Sequence, residues 1–160
     1  MALEIALWQP EIPPNTGNIA RTCVAIGSPL HLIEPLGFSL DDRHLKRAGL
    51  DYWFDLDLTL WPDLETFLRG MEHKTVWALT TKARTYYSDV AYPDDSVLLF
   101  GAETRGLPEP YLATHAERAL TIPMIKGNRS LNLANSVAIV AYEYLRQHGY
   151  PGLQAARFEV

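Results

Sequence analysis

Short apolar runs closed by proline or glycine alternate along the chain with segments whose apolar residues recur at helical spacing. Leu3 to Trp8 is such a run, halted by Pro10, Pro13 and Pro14, and Leu30 to Ile33 is a second, halted by Pro35. Both predict buried strands. Between them, Ile19, Cys23 and Ile26 recur at spacings of four and three before Gly27, which predicts a helix from Asn15 to Ile26 with Asn15 as its cap. Asp41 to Ala48 predicts a short polar helix, capped by Asp41, ended by Gly49 and carrying Arg43, His44, Lys46 and Arg47. Leu64, Phe67 and Leu68 mark another, started by Pro62 and ended by Gly70.

Thr75 to Thr80 and Ser96 to Phe100 predict further buried strands, joined by a polar connection rich in Tyr, Asp and Pro. Pro108 to His115 predicts a short helix and Ala119 to Ile122 a last strand. In the final helix Leu131, Ala134, Ala138, Ala141 and Leu145 recur in steps of three and four until Gly149 and Pro151. Its second face, Asn132, Asn135, Ile139, Tyr142 and Arg146, is mixed in a way a core does not want. Strands alternating with helices, without hairpin signals, predict an α/β fold with a mainly parallel sheet flanked by helices.

Composition narrows the class. At 160 residues the chain suits one domain spanning 1–160, set against roughly 100–200 residues per domain. An apolar fraction of 48% supports a real core, and a net charge of −5 means that any nucleic-acid contact must use a local basic patch. The single cysteine, Cys23, forbids an internal disulfide and sits on an apolar helix stripe. The N-terminus has no basic leader and no apolar stretch approaches a membrane span, so the expectation is a cytoplasmic protein without membrane contact.

Ligands of open parallel sheets bind beyond the carboxyl ends of strands, and three post-strand segments are unusual. PEIPPNTGNIART, residues 10–22, has a proline-stiffened approach and then Asn15, Asn18 and Arg21, an arrangement suited to an anionic group. Asn15 and Gly17 serve as readily as turn and cap residues, and Arg21 by position alone reads as a solvated or salt-bridged side chain. FGAETRGLP, residues 100–108, sets Gly101 at a strand end, where lack of a side chain admits close approach of a ligand; Glu103 and Arg105 pair with each other, with a second subunit or with a ligand. A bulky residue at 101 is therefore expected to abolish binding and spare the fold. IPMIKGNRSLNLANS, residues 122–136, crowds Asn128, Ser130, Asn132, Asn135 and Ser136 beside Lys126 and Arg129 at a helix start, more polar residues than capping needs.

Phosphate-cradle signatures (GxGxxG, GxxxxGK[ST]) and a GxSxG nucleophile elbow are absent, and the five histidines are scattered without metal-ligand spacing. No metal is expected. Taken together, NTGNIART, LLFGAETRGLP, and IPM followed by RSLNLANSVAIVAYE resemble, in order and spacing, the motifs of the SPOUT class of S-adenosylmethionine-dependent RNA methyltransferases. The resemblance runs from the first strand to the last helix. It is closest to the small tRNA wobble-ribose 2′-O-methyltransferases and extends to EPLGFSLDDRHLKRAGLDY.

The resemblance implies a deep trefoil knot in the C-terminal half, an obligate homodimer, and S-adenosylmethionine held by backbone groups near Leu79, Gly101, Ile122 and Ser130. It gives Arg21 the activation of the ribose hydroxyl, with Asn15 and Asn18 shaping the loop, and assigns Glu103, Asn132, Asn135 and Tyr142 to support of the site or the dimer contact. The tRNA anticodon stem-loop is the expected partner, with Arg43, Lys46, Arg47, Arg129 and, in the tail, Arg157 as candidate contacts. Ala102 stands where relatives often have Pro. Two other readings fit the alternation of elements: a non-catalytic nucleotide-binding module, and a flavodoxin-like redox domain.

Overall fold

The computed structural model describes residues 3–41, 43–49 and 53–155, without the side chains of 46, 48 and 49. Seven strands form one sheet: β1 (Glu4–Trp8), β2 (Leu30–Ile33), β3 (Leu58–Trp61), β4 (Thr75–Leu79), β5 (Thr85–Tyr86), β6 (Ser96–Phe100) and β7 (Ala119–Thr121). Their order is β3-β2-β1-β6-β4-β7-β5, and every pairing is parallel. The helices are α1 (Pro13–Ile26), α2 (Arg43–Gly49), α3 (Leu64–Gly70), α4 (Glu109–Thr114) and α5 (Leu133–Gln147).

Central strands read as unbroken apolar runs because helices cover both faces of the sheet. Side chains alternate between the faces at period two. Ile5, Leu7, Leu98 and Phe100 join the core formed with Ile19 and Cys23 of α1 and with Val140, Tyr144 and Leu145 of α5. Ala6, Val97 and Leu99 face the opposite core, with Phe67 of α3 and Tyr111 of α4. Burial pushes the Cys23 thiol up to about 12, which keeps it a neutral packing residue.

The expected strands and helices form, with local corrections. The sequence reading assigned no element to Leu58–Trp61 or Thr85–Tyr86, which form edge strands of four and two residues, too short to show a period. Asp63, not Pro62, starts α3: its carboxylate accepts the Thr66 N–H at 2.7 Å. Helix α2 is described over Arg43–Gly49, and residue 42, between it and the expected cap Asp41, lies outside the described residues. In α5 the core face is carried by Val137, Val140, Ala141, Tyr144 and Leu145; Leu131 precedes the helix and is exposed.

All strands being parallel, their carboxyl ends share one rim, where the candidate site lies. Near the amino end of β1, the Glu4 carboxylate accepts from His31 Nε2 at 2.7 Å and pairs with Lys74. Trp61 Nε1 donates to His31 Nδ1 at 3.0 Å, so the ring proton given to Glu4 sits on Nε2. Hydrogen bonding from His31, then from Lys74, pulls the Glu4 carboxyl from 4.5 down to about 2 against the opposing effect of burial. A depressed carboxylate stabilises the fold above its ordinary range and loses that contribution as pH falls from about 4.5 towards about 2. Glu4→Gln is therefore expected to cost on the order of 2 kcal/mol at neutral pH, after allowance for solvent screening, and to flatten the acid limb of the stability curve. Urea titrations between pH 2 and 7 check this; an unchanged acid limb in the variant would remove Glu4 from that role.

Candidate active site

Helix α1 opens on Pro13 and Pro14, whose missing N–H groups cost nothing in a first turn. The helix starts two residues before the predicted cap, and Asn15 lies inside the first turn with its backbone N–H bonded to the Ile12 carbonyl at 3.1 Å. Ile12 holds the cap position, where no side-chain cap forms. The preceding amides instead meet Glu103: its carboxylate accepts from Glu11 N at 2.7 Å and from Ile12 N at 3.1 Å. The anionic group for which this segment is suited is thus supplied by the protein's own second loop.

Asn15 is buried for a different purpose. Its Oδ1 accepts from Asn132 Nδ2 at 2.9 Å, and Asn132 Oδ1 accepts the Asn135 backbone N–H at 3.1 Å as the cap of α5. A capping residue of one helix thereby clamps the first turn of another. Capping therefore explains Asn132, and the Ser136 hydroxyl bonds back to the Asn132 carbonyl at 3.1 Å.

After β6 the chain turns within Ala102–Gly106, closed by Gly106 N–H to the Ala102 carbonyl at 2.8 Å, with Gly106 at φ 68°. A Cβ on Gly101 would lie 2.1 Å from the Gly106 carbonyl carbon and 2.3 Å from Leu107 N. The glycine is required by the returning backbone of its own loop, which corrects the expectation that a bulky residue here would spare the fold. Glu103 and Arg105 do not pair with each other: Arg105 donates to Gln9 Oε1 at 2.8 Å and lies 5.2 Å over the Trp8 ring.

The three segments enclose one cavity of about 640 Å³, within the range of small-molecule and cofactor sites. Leu79, Gly101, Glu103, Ile122, Ser130, Asn132, Asn15 and Arg129 all line it. Leu107, Leu112, Leu120 and Met124 add apolar wall, and Thr80, Thr81 and Lys82 a polar one, with Lys82 ion-paired to Glu109. This mixture suits a small molecule with both apolar and polar parts. The sequence reading missed Leu107, Leu112, Met124, Lys82, Glu11 and Thr104, whose roles depend on partners remote in sequence.

Among the described residues the lining does not include Arg21, Asn18, Asn135, Tyr142, Arg43 or Arg47. At 100° per residue Asn18 and Arg21 are turned about 60° and 120° from Asn15, and both are exposed on α1. The earlier start of α1 puts Arg21 in its third turn, beyond the reach of the positive helix end. Asn135, Ile139, Tyr142 and Arg146 are exposed along α5, so the mixed face is uncovered in the single chain. Tyr142 lies ten residues past Asn132, about 15 Å along the helix. Arg43 and Arg47 are exposed on α2, while Arg157 and the Lys46 side chain lie outside the described residues. Among the described residues, no group of three His, Cys, Asp or Glu could hold a metal, and no helix is long and apolar enough to cross a membrane.

Comparison with known proteins agrees with this geometry. The chain is 52% identical over 151 residues to the tRNA (cytidine(34)-2′-O)-methyltransferase of Aeromonas hydrophila, covering 94% of this chain and 97% of the relative. A solved structure concerned with the 2-OH methylation of cytidine or uridine 34 on tRNA superposes with a TM-score of 0.88 at 47% identity, over 92% of this chain and 96% of the other. An AdoMet-bound rRNA methyltransferase from Sinorhizobium meliloti superposes at 0.81 with 28% identity, over 90% of this chain and 56% of the other. The model of the SpoU rRNA Methylase family matches residues 2–142, and the chain, with its seven-stranded parallel sheet and three-loop cavity, belongs to that family.

Proposed function

We propose that the protein transfers the methyl group of S-adenosylmethionine to the ribose 2′-hydroxyl of nucleotide 34 of tRNA, in the anticodon stem-loop, and acts as a homodimer in the cytoplasm. The observation that carries this reading is the convergence of three segments, remote in sequence, on one cavity in a chain that matches position-34 methyltransferases over nearly its whole length. The family model's description names rRNA, whereas the relatives matched end to end name tRNA; identity and coverage favour tRNA.

When bound, the methyl donor supplies an electrophilic sulfonium methyl. Backbone groups near Leu79, Gly101, Ile122 and Ser130 would hold it, while Glu103, Asn132 and Asn135 keep the surrounding loops in place. Methyl transfer would break a carbon–sulfur bond, release S-adenosylhomocysteine and form a carbon–oxygen bond, the ribose proton passing to an RNA phosphate oxygen, so a positioned cation would lower the barrier and no metal is needed. Arg21 supplies that cation; a guanidinium has only donors to offer and no lone pair to take the proton, so it is not the base. Asn15 and Asn18 shape its helix.

The homodimer is supported by the uncovered mixed face of α5, on which Tyr142 lies, and by the absence of Arg21 from the cavity lining of a single chain. Support for a deep knot is that β7 inserts between β4 and β5, after which the chain returns so that Asn132 meets Asn15. Arg129 at the cavity and Arg43, Lys46, Arg47 and Arg157 elsewhere offer cations to RNA phosphates.

The test combines calorimetry with S-adenosylhomocysteine, light scattering, and nucleoside mass spectrometry of tRNA from cells lacking the protein. The expected results are binding without added metal, a dimer mass, and loss of 2′-O-methylation at nucleotide 34. Retained methylation there, with loss at another ribose, overturns the substrate. Binding without any methyl transfer would favour a non-catalytic nucleotide-binding module, and a flavin absorbance in the purified protein a redox domain.

A further inference from the structure

Two carboxylates at the rim of the cavity each accept hydrogen bonds from the loop that carries the other. Glu103, in the loop after β6, accepts the backbone N–H groups of Glu11 and Ile12. Glu11, in the loop before α1, returns the exchange: its Oε1 accepts Thr104 N–H at 3.1 Å and the Thr104 hydroxyl at 2.7 Å. Arg105 to Gln9 adds a third tie between the same loops. The clasp thus has two sides, and Glu103 supplies only one of them.

We propose that Glu11 is a positioning residue: its carboxylate, held by Thr104, locks the loop that opens α1 to the loop that walls the cavity, and so fixes Arg21 relative to the methyl donor. The inference rests on the function proposed above. Neither Glu11 nor Thr104 reaches the reacting atoms in this role. Glu11 acts through Thr104 on the register of two loops, one of which leads by a rigid helix to Arg21. The acceptor is a full carboxylate, kept ionised by the Thr104 hydroxyl and amide, which hold it below the usual carboxylate range. Gln9, at the other side of the clasp, sits at φ 49°, a conformation that non-glycine residues hold only when their surroundings enforce it.

Hydrogen bonds at such exposed positions contribute little net stability, which separates positioning from mere structure: the rate is expected to move far more than the melting temperature. Glu11→Ala and Thr104→Val, with the double variant, are compared with wild type in single-turnover methylation of a tRNA anticodon stem-loop at saturating methyl donor and RNA. Each variant is expected to lose about tenfold or more in rate while S-adenosylhomocysteine affinity stays within about threefold and thermal unfolding shifts little. The double variant is expected to be no slower than Glu11→Ala alone, because the hydroxyl bond that Thr104→Val removes is one of those already lost with the Glu11 carboxylate. Wild-type rates in both single variants, losses that multiply in the double variant, or a loss fully explained by weaker cofactor binding each overturn the role. Thr104→Val keeps the question decidable if Glu11→Ala fails to fold. Failure of the underlying function is read separately, as a wild-type protein that methylates no stem-loop.

Discussion

Arg21→Ala is expected to lower single-turnover methylation of the anticodon stem-loop by two to three orders of magnitude, on the order of 3–4 kcal/mol of transition-state stabilisation, with S-adenosylhomocysteine affinity nearly unchanged. The separation follows from placement. Arg21 lies on the exposed side of α1, and the cavity lining of the same chain does not include it, so its removal leaves the cofactor's contacts intact. An interaction made only as negative charge develops on the ribose oxygen lowers the rate constant without weakening ground-state binding. Arg21→Lys should recover little, because a compact ammonium does not reproduce the planar guanidinium fork. Rapid-quench kinetics with saturating donor decide the matter, and a wild-type rate for Arg21→Ala would return the residue to a structural role.

Gly101→Ala should damage the fold and the site together. A Cβ at this position would sit 2.1 Å from a backbone carbon and 2.6 Å from a backbone oxygen of Gly106, closer than any real contact. Backbone, unlike the end of a flexible side chain, cannot swing aside. The turn is held by its own Ala102–Gly106 bond and by the Glu11–Thr104 tie, so relief requires moving a wall of the cavity. The expected cost is about 1–3 kcal/mol of stability, together with at least a tenfold loss of cofactor affinity. Thermal unfolding and calorimetry measure the two. A variant with lost affinity and an unchanged melting temperature would restore the simpler view, in which the glycine only makes room for a ligand.

Most of the elements were legible because each leaves a pattern in neighbouring residues. Leu30–Ile33 and Ser96–Phe100 are apolar throughout because both faces of those strands are covered, and the spacing of Ile19, Cys23 and Ile26 marks the stripe that α1 buries. The three polar segments were legible for the opposite reason, as groups that a core rejects. What failed was local detail decided by distant partners. Asn15 looks like a cap by composition, yet two prolines before it continue the helix and its side chain turns to Asn132. Gly101 looks like a glycine that serves a ligand alone until the loop's return through Gly106 and Leu107 shows that the fold needs it as well.

By itself, then, the amino-acid sequence determined the alternation of strands and helices, the parallel α/β class and the three segments that line the cavity, since burial at fixed periods and polar residues at strand ends are written in adjacent positions. Only the tertiary structure decided how those segments meet. The sheet order sets β1 beside β6, bringing Glu11 to Thr104 across 93 residues, and the return of the chain into α5 brings Asn132 to Asn15 across 117. No local pattern encodes such a meeting, because each partner alone has the appearance of an ordinary polar loop residue. It takes its role only when the order of strands in the sheet places the other within hydrogen-bonding distance.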